Sequence, residues 1–214
     1  MKTHLLAAAL ALGAAHTSAL ADVLVSLNGG IPTTSDGTTP VADGGLVLLV
    51  ASTTDSVFSG PTTSSSLTVG SVFNGDDIVL AALSVDSVST AISGAYKQDI
   101  NITYGTTFPA AVSSGDQIKL YWFPTLTKTS TAIAGGTSYG EYRTDATMSG
   151  SSTGWLLPAD GQTVIINLLT LSAGGDIANN LGSASLTVAG PVIAPAITTQ
   201  PASQTVTAGS PASS

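Results

Sequence analysis

Two stretches of the chain, Gly136-Thr137-Ser138-Tyr139-Gly140 and Gly150-Ser151-Ser152-Thr153-Gly154, match the G-x-S-x-G pattern. In that pattern a strand-to-helix turn exposes a nucleophilic serine. Such a serine needs a base to take its proton, and the usual base is histidine. The chain has only His4 and His16, both near its start, and it has no cysteine. Neither match is followed by a helical pattern. No serine lies three residues before Lys97, Lys119 or Lys128, so a Ser–Lys pair is not indicated either. The missing His and Cys also remove the common zinc ligands and any thiolate chemistry. The reading is non-catalytic, with no catalytic residue assigned.

Carboxylates are the second set of reactive groups. Glu141 and Asp145 could form the acid pair that glycoside hydrolysis uses. On a strand, Glu141, Arg143 and Asp145 share one face. An arginine between two acids holds both ionised, whereas a general acid needs a raised pKa. A solvent-facing ion pair is therefore expected. Asp36 with Asp43, and Asp76 with Asp77 after Asn74-Gly75, offer hard oxygen ligands for calcium. No D-x-[DN]-x-[DN]-G loop is present, so no metal site and no cofactor is assigned.

Aromatic rings are the third. Residues 121–155 hold Tyr121, Trp122, Phe123, Tyr139, Tyr142 and Trp155, together with the only arginine (Arg143) and the only glutamate (Glu141). On a strand over Gln117–Phe123, Ile118, Leu120 and Trp122 share one face, which reads as core. Lys119, Tyr121 and Phe123 share the other, which reads as mixed and partly exposed. Stacking surface beside both signs of charge is what a small polar-ligand site needs. Tyr121, Tyr139, Tyr142, Arg143 and Trp155 are therefore the candidate ligand-binding residues, with surface glycans or other surface proteins as partners. The competing reading is that these rings fill the core.

The elements that must hold these residues are short strands. Val23–Leu27, Leu46–Ala51, Leu67–Phe73, Ile78–Val85, Asp99–Tyr104, Gln117–Phe123, Val164–Leu171 and Ala184–Val188 are strand-sized runs rich in Val, Ile, Thr and aromatic residues. Asn-Gly, Asp-Gly and Gly-Gly pairs between them supply the positive φ of tight turns. Helix formers are scarce, and the abundant Ser and Thr compete with helical hydrogen bonds. The expected fold is all-β, an antiparallel β-sandwich or jelly roll over residues 22–190. A parallel β-helix is the rival, and the lack of a fixed-period repeat argues against it.

Residues 1–21 have the form of an export signal. Lys2 precedes the apolar run Leu5–Ala15, and Ala19-Leu20-Ala21 is a small-x-small cleavage site before Asp22. The run is too short to span a bilayer, which takes roughly 20 apolar residues, and no later run is longer. Secretion or display at the cell surface is expected, with no membrane span in the mature chain. The formal charge is −8, from thirteen acids against five Lys and Arg. A duplex-binding surface needs clustered cations, so nucleic acid is not an expected partner.

The strand pattern breaks at Pro191 and Pro195, and residues 191–195 read as a linker. Beyond it, Ile197, Gln200-Pro201, Ser203 and Val206-Thr207-Ala208-Gly209 follow a recurring order: Ile, Gln-Pro, Ser, then Val-x-x-Gly. This resembles the first strand of bacterial immunoglobulin-like domains. The resemblance covers residues 196–210 and transfers no functional residue. It implies the opening of a further domain in residues 196–214, incomplete here, within a multidomain extracellular protein. Together these features lead to an exported structural or adhesive module as the expected function. A carbohydrate-binding module is the alternative, and a glycan-active enzyme the more distant one.

Overall fold

The computed structural model describes residues 22–28, 30–90, 92–105, 108, 112–143, 155–170, 177–178, 180–190 and 209, giving backbone only at 169–170, 177–178 and 180. The leader, the linker, the immunoglobulin-like segment apart from Gly209, Asp145 and the second G-x-S-x-G match lie outside these residues. Thirteen strands are described: β1 (Asp22–Asn28), β2 (Ile31–Thr33), β3 (Leu46–Ser52), β4 (Val72–Asn74), β5 (Asp77–Ser84), β6 (Lys97–Thr103), β7 (Gln117–Phe123), β8 (Ser138–Tyr142), β9 (Thr163–Asn167), β10 (Leu169–Thr170), β11 (Ile177–Ala178), β12 (Asn180–Ser183) and β13 (Leu186–Thr187). The one described helix, α1, is the single turn Ser87–Thr90. It starts where the Asp86 carboxylate accepts the Val88 and Ser89 N–H groups, as a helix N-cap does. The chain is all-β and sandwich-like, as its turn chemistry predicts.

A six-stranded sheet in the order β13-β8-β7-β3-β5-β4 forms the centre. β3 is its middle strand, and every residue from Leu46 to Ser52 is buried. An uninterrupted apolar run suits a strand covered on both faces. A three-stranded sheet, β6-β1-β9, packs on one of those faces. Val23, Val25 and Leu27 of β1, Ile100 and Ile102 of β6, and Val164 and Ile166 of β9 meet Val47, Leu49, Leu80, Leu120 and Trp122 of the central sheet. Their polar neighbours along each strand face outward, the alternation expected of a half-buried sheet.

The opposite face of the central sheet is covered by loops. Leu46, Leu48, Val50, Val79, Tyr121 and Phe123 pack there against Phe58, Leu67, Phe73, Leu126, Ile133, Tyr139 and Val188. A bulge at Leu80 keeps Ile78, Leu80 and Leu83 on the sandwich side while β5 stays paired with β3.

Three expectations change. The sandwich is not purely antiparallel, because β1 runs parallel to β9, and β2 parallel to β12. Turn residues report on strands adjacent in sequence, and parallel neighbours need long crossovers that leave no local signal. Asn28-Gly29-Gly30 accordingly closes no hairpin: β1 pairs with β6 and β9, and β2 with β12. The Asn74-Gly75 signal does close one, β4–β5, with Gly75 at φ 57°. Within Leu67–Phe73 only the last two residues are strand. Leu67 is a buried loop residue that plugs the second face.

Candidate functional site

The segment singled out by its chemistry begins at the hairpin of β7 and β8. Leu120 pairs with Tyr142, Tyr121 with Glu141, and Trp122 with Gly140. Ile118, Leu120 and Trp122 enter the sandwich core, as their spacing predicts. The indole Nε1 of Trp122 donates to the Thr33 carbonyl at 3.0 Å, which satisfies its buried polar atom. The ring lies across Gly140, where a Cβ would overlap Cζ2 and Cε2 of the indole. Only glycine fits opposite that tryptophan. Ser138, the serine of the first G-x-S-x-G match, therefore opens a strand and pairs with Thr187, so there is no nucleophile elbow.

Tyr121 departs from expectation. Its face was read as partly exposed, but its exposure is 0%. Neighbouring rings help to bury it, Phe73 of β4 at 5.0 Å and Tyr139 of β8 at 6.2 Å between centroids. Trp155 is likewise interior at 2%, edge-on to Tyr142 at 5.7 Å. Neither ring can stack on a ligand. Tyr139 is half-buried over Tyr121 and Phe123 and serves that core.

Tyr142 and Arg143, both half-buried, line a cleft of about 260 Å³ together with Lys119 and Glu141. Lys119 Nζ is 3.4 Å from Glu141 Oε1. It also stands 5.0 Å from the centroid of Phe58, and the Arg143 guanidinium stands 5.8 Å from the same ring. One phenyl ring from the loop after β3 thus supports two cations from β7 and the end of β8. Of the candidate residues, the fold gathers Tyr142 and Arg143 at the cleft and diverts Tyr121, Tyr139 and Trp155 to packing. Lys119 was not among the candidates. Its signal was a lysine inside a largely apolar strand, two residues before Tyr121 and on the same face. Phe58, far away in sequence, left no signal.

The carboxylates mostly hold turns. Asp36 accepts the Thr34 and Thr39 hydroxyls and the Thr38 and Thr39 N–H groups. These bonds, led by the Thr39 hydroxyl, hold it well below the usual carboxylate range. Asp55 accepts from Val57 N at 2.8 Å, and Asp116 from Ser113 N at 2.8 Å. Burial raises the Asp116 pKa against those bonds. The Asp36 and Asp55 bonds form Asx-type turns, in which a short side chain replaces a backbone acceptor, and Asp116 reaches back across its own turn to Ser113.

Asp76 and Asp77 are adjacent and pushed apart. Burial works to raise Asp76, but N–H donors, Thr54 first, more than offset it and hold the carboxyl below its ordinary value. Asp77 is fully buried, and burial, reinforced by the charges of Asp76 and Asp55, raises it to about 6. Ser59 N donates to its Oδ2 at 3.3 Å, while its Oδ1 is buried without a hydrogen-bond partner. Such a split marks acid–base pairs in enzymes. A carboxyl with no exposed surface, however, reaches no substrate, so Asp77 is a buried titratable group rather than a catalytic acid.

Among the described residues, no three His, Cys, Asp or Glu side chains gather to hold a metal ion. Likewise, no described helix is long and apolar enough to cross a membrane. A second hollow of about 280 Å³ is bordered by Asp43, Ser87 and Gly94, whose polar groups bond to one another. Comparison with models of known families, with curated proteins and with solved structures found no match.

Proposed function

We propose that this chain is an exported, non-catalytic structural or adhesive module of a larger secreted or cell-surface protein. The observation that supports it most is how the reactive side chains are used. The carboxylates of Asp36, Asp55, Asp76, Asp86 and Asp116 cap turns, and Tyr121, Trp122, Phe123 and Trp155 fill the two cores. Groups already committed to the fold are not available to do chemistry. Export rests on the leader-like residues 1–21, and membership of a longer protein on residues 196–210. The competing reading, a carbohydrate-binding module, rests on Tyr142 and Arg143 alone, since Tyr121 and Trp155 are interior.

The test is turnover by the purified mature chain on a panel of polysaccharides, with fractionation of cells that express the full chain. A structural module gives no turnover and is recovered outside the cytoplasm. Hydrolysis that disappears in Glu141→Gln would make the chain a glycan-active enzyme instead.

A further inference from the structure

We propose that Asn101 is the attachment site of an N-linked oligosaccharide, added while the chain is exported. The inference rests on the export reading of residues 1–21. Two observations carry it, and a third fixes when the sugar is added.

The first is the residue pattern. The chain has six asparagines, at positions 28, 74, 101, 167, 179 and 180. Only Asn101 has a Ser or Thr two residues on, in Asn101-Ile102-Thr103. Such a triplet, with no proline at its centre, is the acceptor for N-glycosylation of exported proteins. Asp99, two residues earlier, adds an anionic group on the same side of the strand.

The second is placement. Ser and Thr are abundant in this chain, so the triplet needs support from the fold. Ile100 and Ile102 enter the sandwich core, which turns Asp99, Asn101 and Thr103 outward. Asn101 is exposed, and β6 is the outer strand of its sheet, with β1 on one side only. An oligosaccharide on that amide therefore displaces nothing from the core. Leu24, the register partner of Asn101, is half-buried, and Ile165 of β9 is 54% exposed on the same outward face. The C–H faces of the first sugars can cover this apolar strip. A free edge of seven residues also invites pairing with another chain, and a bulky solvated group beside it blocks that.

The third is how the flanking groups are used in the fold. The Thr103 hydroxyl donates to the Asp22 carboxylate, and Asp99 accepts the Ser26 hydroxyl at 2.6 Å. Both groups are thus occupied once β1 pairs with β6, and a strand held in a ladder cannot bend into a transferase. Modification precedes closure of this sheet. The donor is an oligosaccharide linked to a polyprenyl diphosphate. Asn101 Nδ2 forms a bond to C1 of the first sugar, the C1–O bond to the diphosphate breaks, and one amide proton passes to the transferase.

The experiment is peptide mass mapping of the full chain purified from its own cells, with the fractions inside and outside the cytoplasm kept apart. Trypsin releases residues 98–119, which contain the triplet, as one peptide. Outside the cytoplasm that peptide should be heavier by an oligosaccharide, with fragmentation placing the sugar on Asn101. Asn101→Gln and Thr103→Ala should each lose the added mass completely, whereas Thr103→Ser should keep it. Should a variant fail to fold, fragmentation of the wild-type peptide decides. An unmodified peptide in chain recovered outside the cytoplasm overturns the proposal and leaves the export reading standing. An unmodified peptide in chain that stays inside overturns both. Added mass that survives in Asn101→Gln, or that fragments onto a Ser or Thr, overturns the proposal as well.

Discussion

On one face of the central sheet, Val47, Leu49, Leu120 and Trp122 meet the strands β1, β6 and β9. On the other, Leu48, Val50, Tyr121 and Phe123 meet loop residues such as Leu67, Leu126 and Ile133. Both faces are buried, yet they treat polar groups differently. The strand-covered face is mostly apolar, with Thr33, the indole N–H groups of Trp122 and Trp155 and the Tyr96 hydroxyl as buried polar groups. The loop-covered face carries Ser52 and Asp77 in its interior and Lys119 at its margin. Strands spend their N–H and C=O groups on each other, so a covering sheet has no donors left for a buried carboxylate. Loops have unspent N–H groups, and Ser59 lends one to Asp77. Titratable chemistry therefore collects where loops, not strands, close a sheet. The cleft sits on the same side of the β7–β8 pair through Lys119, Glu141 and Phe58.

The sharpest way to break this contrast is to empty each face in turn. Trp122→Ala should cost about 3–5 kcal/mol in urea unfolding, because two rigid sheets cannot collapse onto the space. Phe73→Ala removes a ring of similar burial from the edge strand β4, where loops rather than a second sheet lie opposite and can settle into the gap. Its loss should be clearly smaller than that of Trp122→Ala. Equal losses would show that the loops are as rigid as the strands. Gly140→Ala tests the same core from the other side, since its methyl would meet the indole. It should cost about 1–3 kcal/mol or more.

Asp77 gives the next effect. Its folded pKa of about 6 lies above the ordinary 3.8, so the native state holds the proton more tightly than the unfolded chain. This contribution to stability is full below about pH 4 and is lost as pH rises through about 6. A sequence without histidine beyond its leader predicts little change in stability between pH 6 and 8. Asp77 adds a decline that begins on the acid side of that window and ends within it. Asp77→Asn, which removes the charge, should stabilise the protein by about 1–3 kcal/mol at pH 8. At pH 4 the gain should vanish, and thermal melts at the two pH values check the difference. A gain that persists at pH 4 would place the effect elsewhere.

Smaller effects follow at the margins. Tyr96 is fully buried on the strand-covered side, and its hydroxyl has no hydrogen-bond partner. Tyr96→Phe should be neutral or stabilising by up to about 1 kcal/mol, since it removes an unpaired polar group. A clear loss would reveal a bond to that hydroxyl and soften the contrast between the faces. Glu141→Gln breaks a partly exposed ion pair and should change stability by less than about 1 kcal/mol. A larger loss would mean that the pair holds the β7–β8 hairpin together.

Much of the framework was legible in the residues. The bounds of β7 coincide with the run read from the sequence, and β3 follows its apolar stretch within a residue, because strand-sized runs between turn formers have few other ways to fold. Tyr142 and Arg143 were singled out by residue chemistry alone, and the fold places both beside one cleft. β8 was not read as a strand: Ser138–Tyr142 contains a glycine and no β-branched residue, and that glycine is there for the ring of Trp122. The local sequence records what a residue tolerates and not what will cover it.

By itself, then, the sequence determined the all-β class, the position of most strands, the scarcity of helix and the inward face of β7. These follow from period-two alternation and turn chemistry, which act over a few residues. Only the tertiary structure decided that β9 lies parallel to β1, that Tyr121 is interior, that Asp77 keeps a proton near pH 6, and that Phe58 brings Lys119 and Arg143 to one cleft. Each depends on segments tens of residues apart meeting across a sheet. Burial and charge proximity arise from that meeting, so no local pattern can encode them.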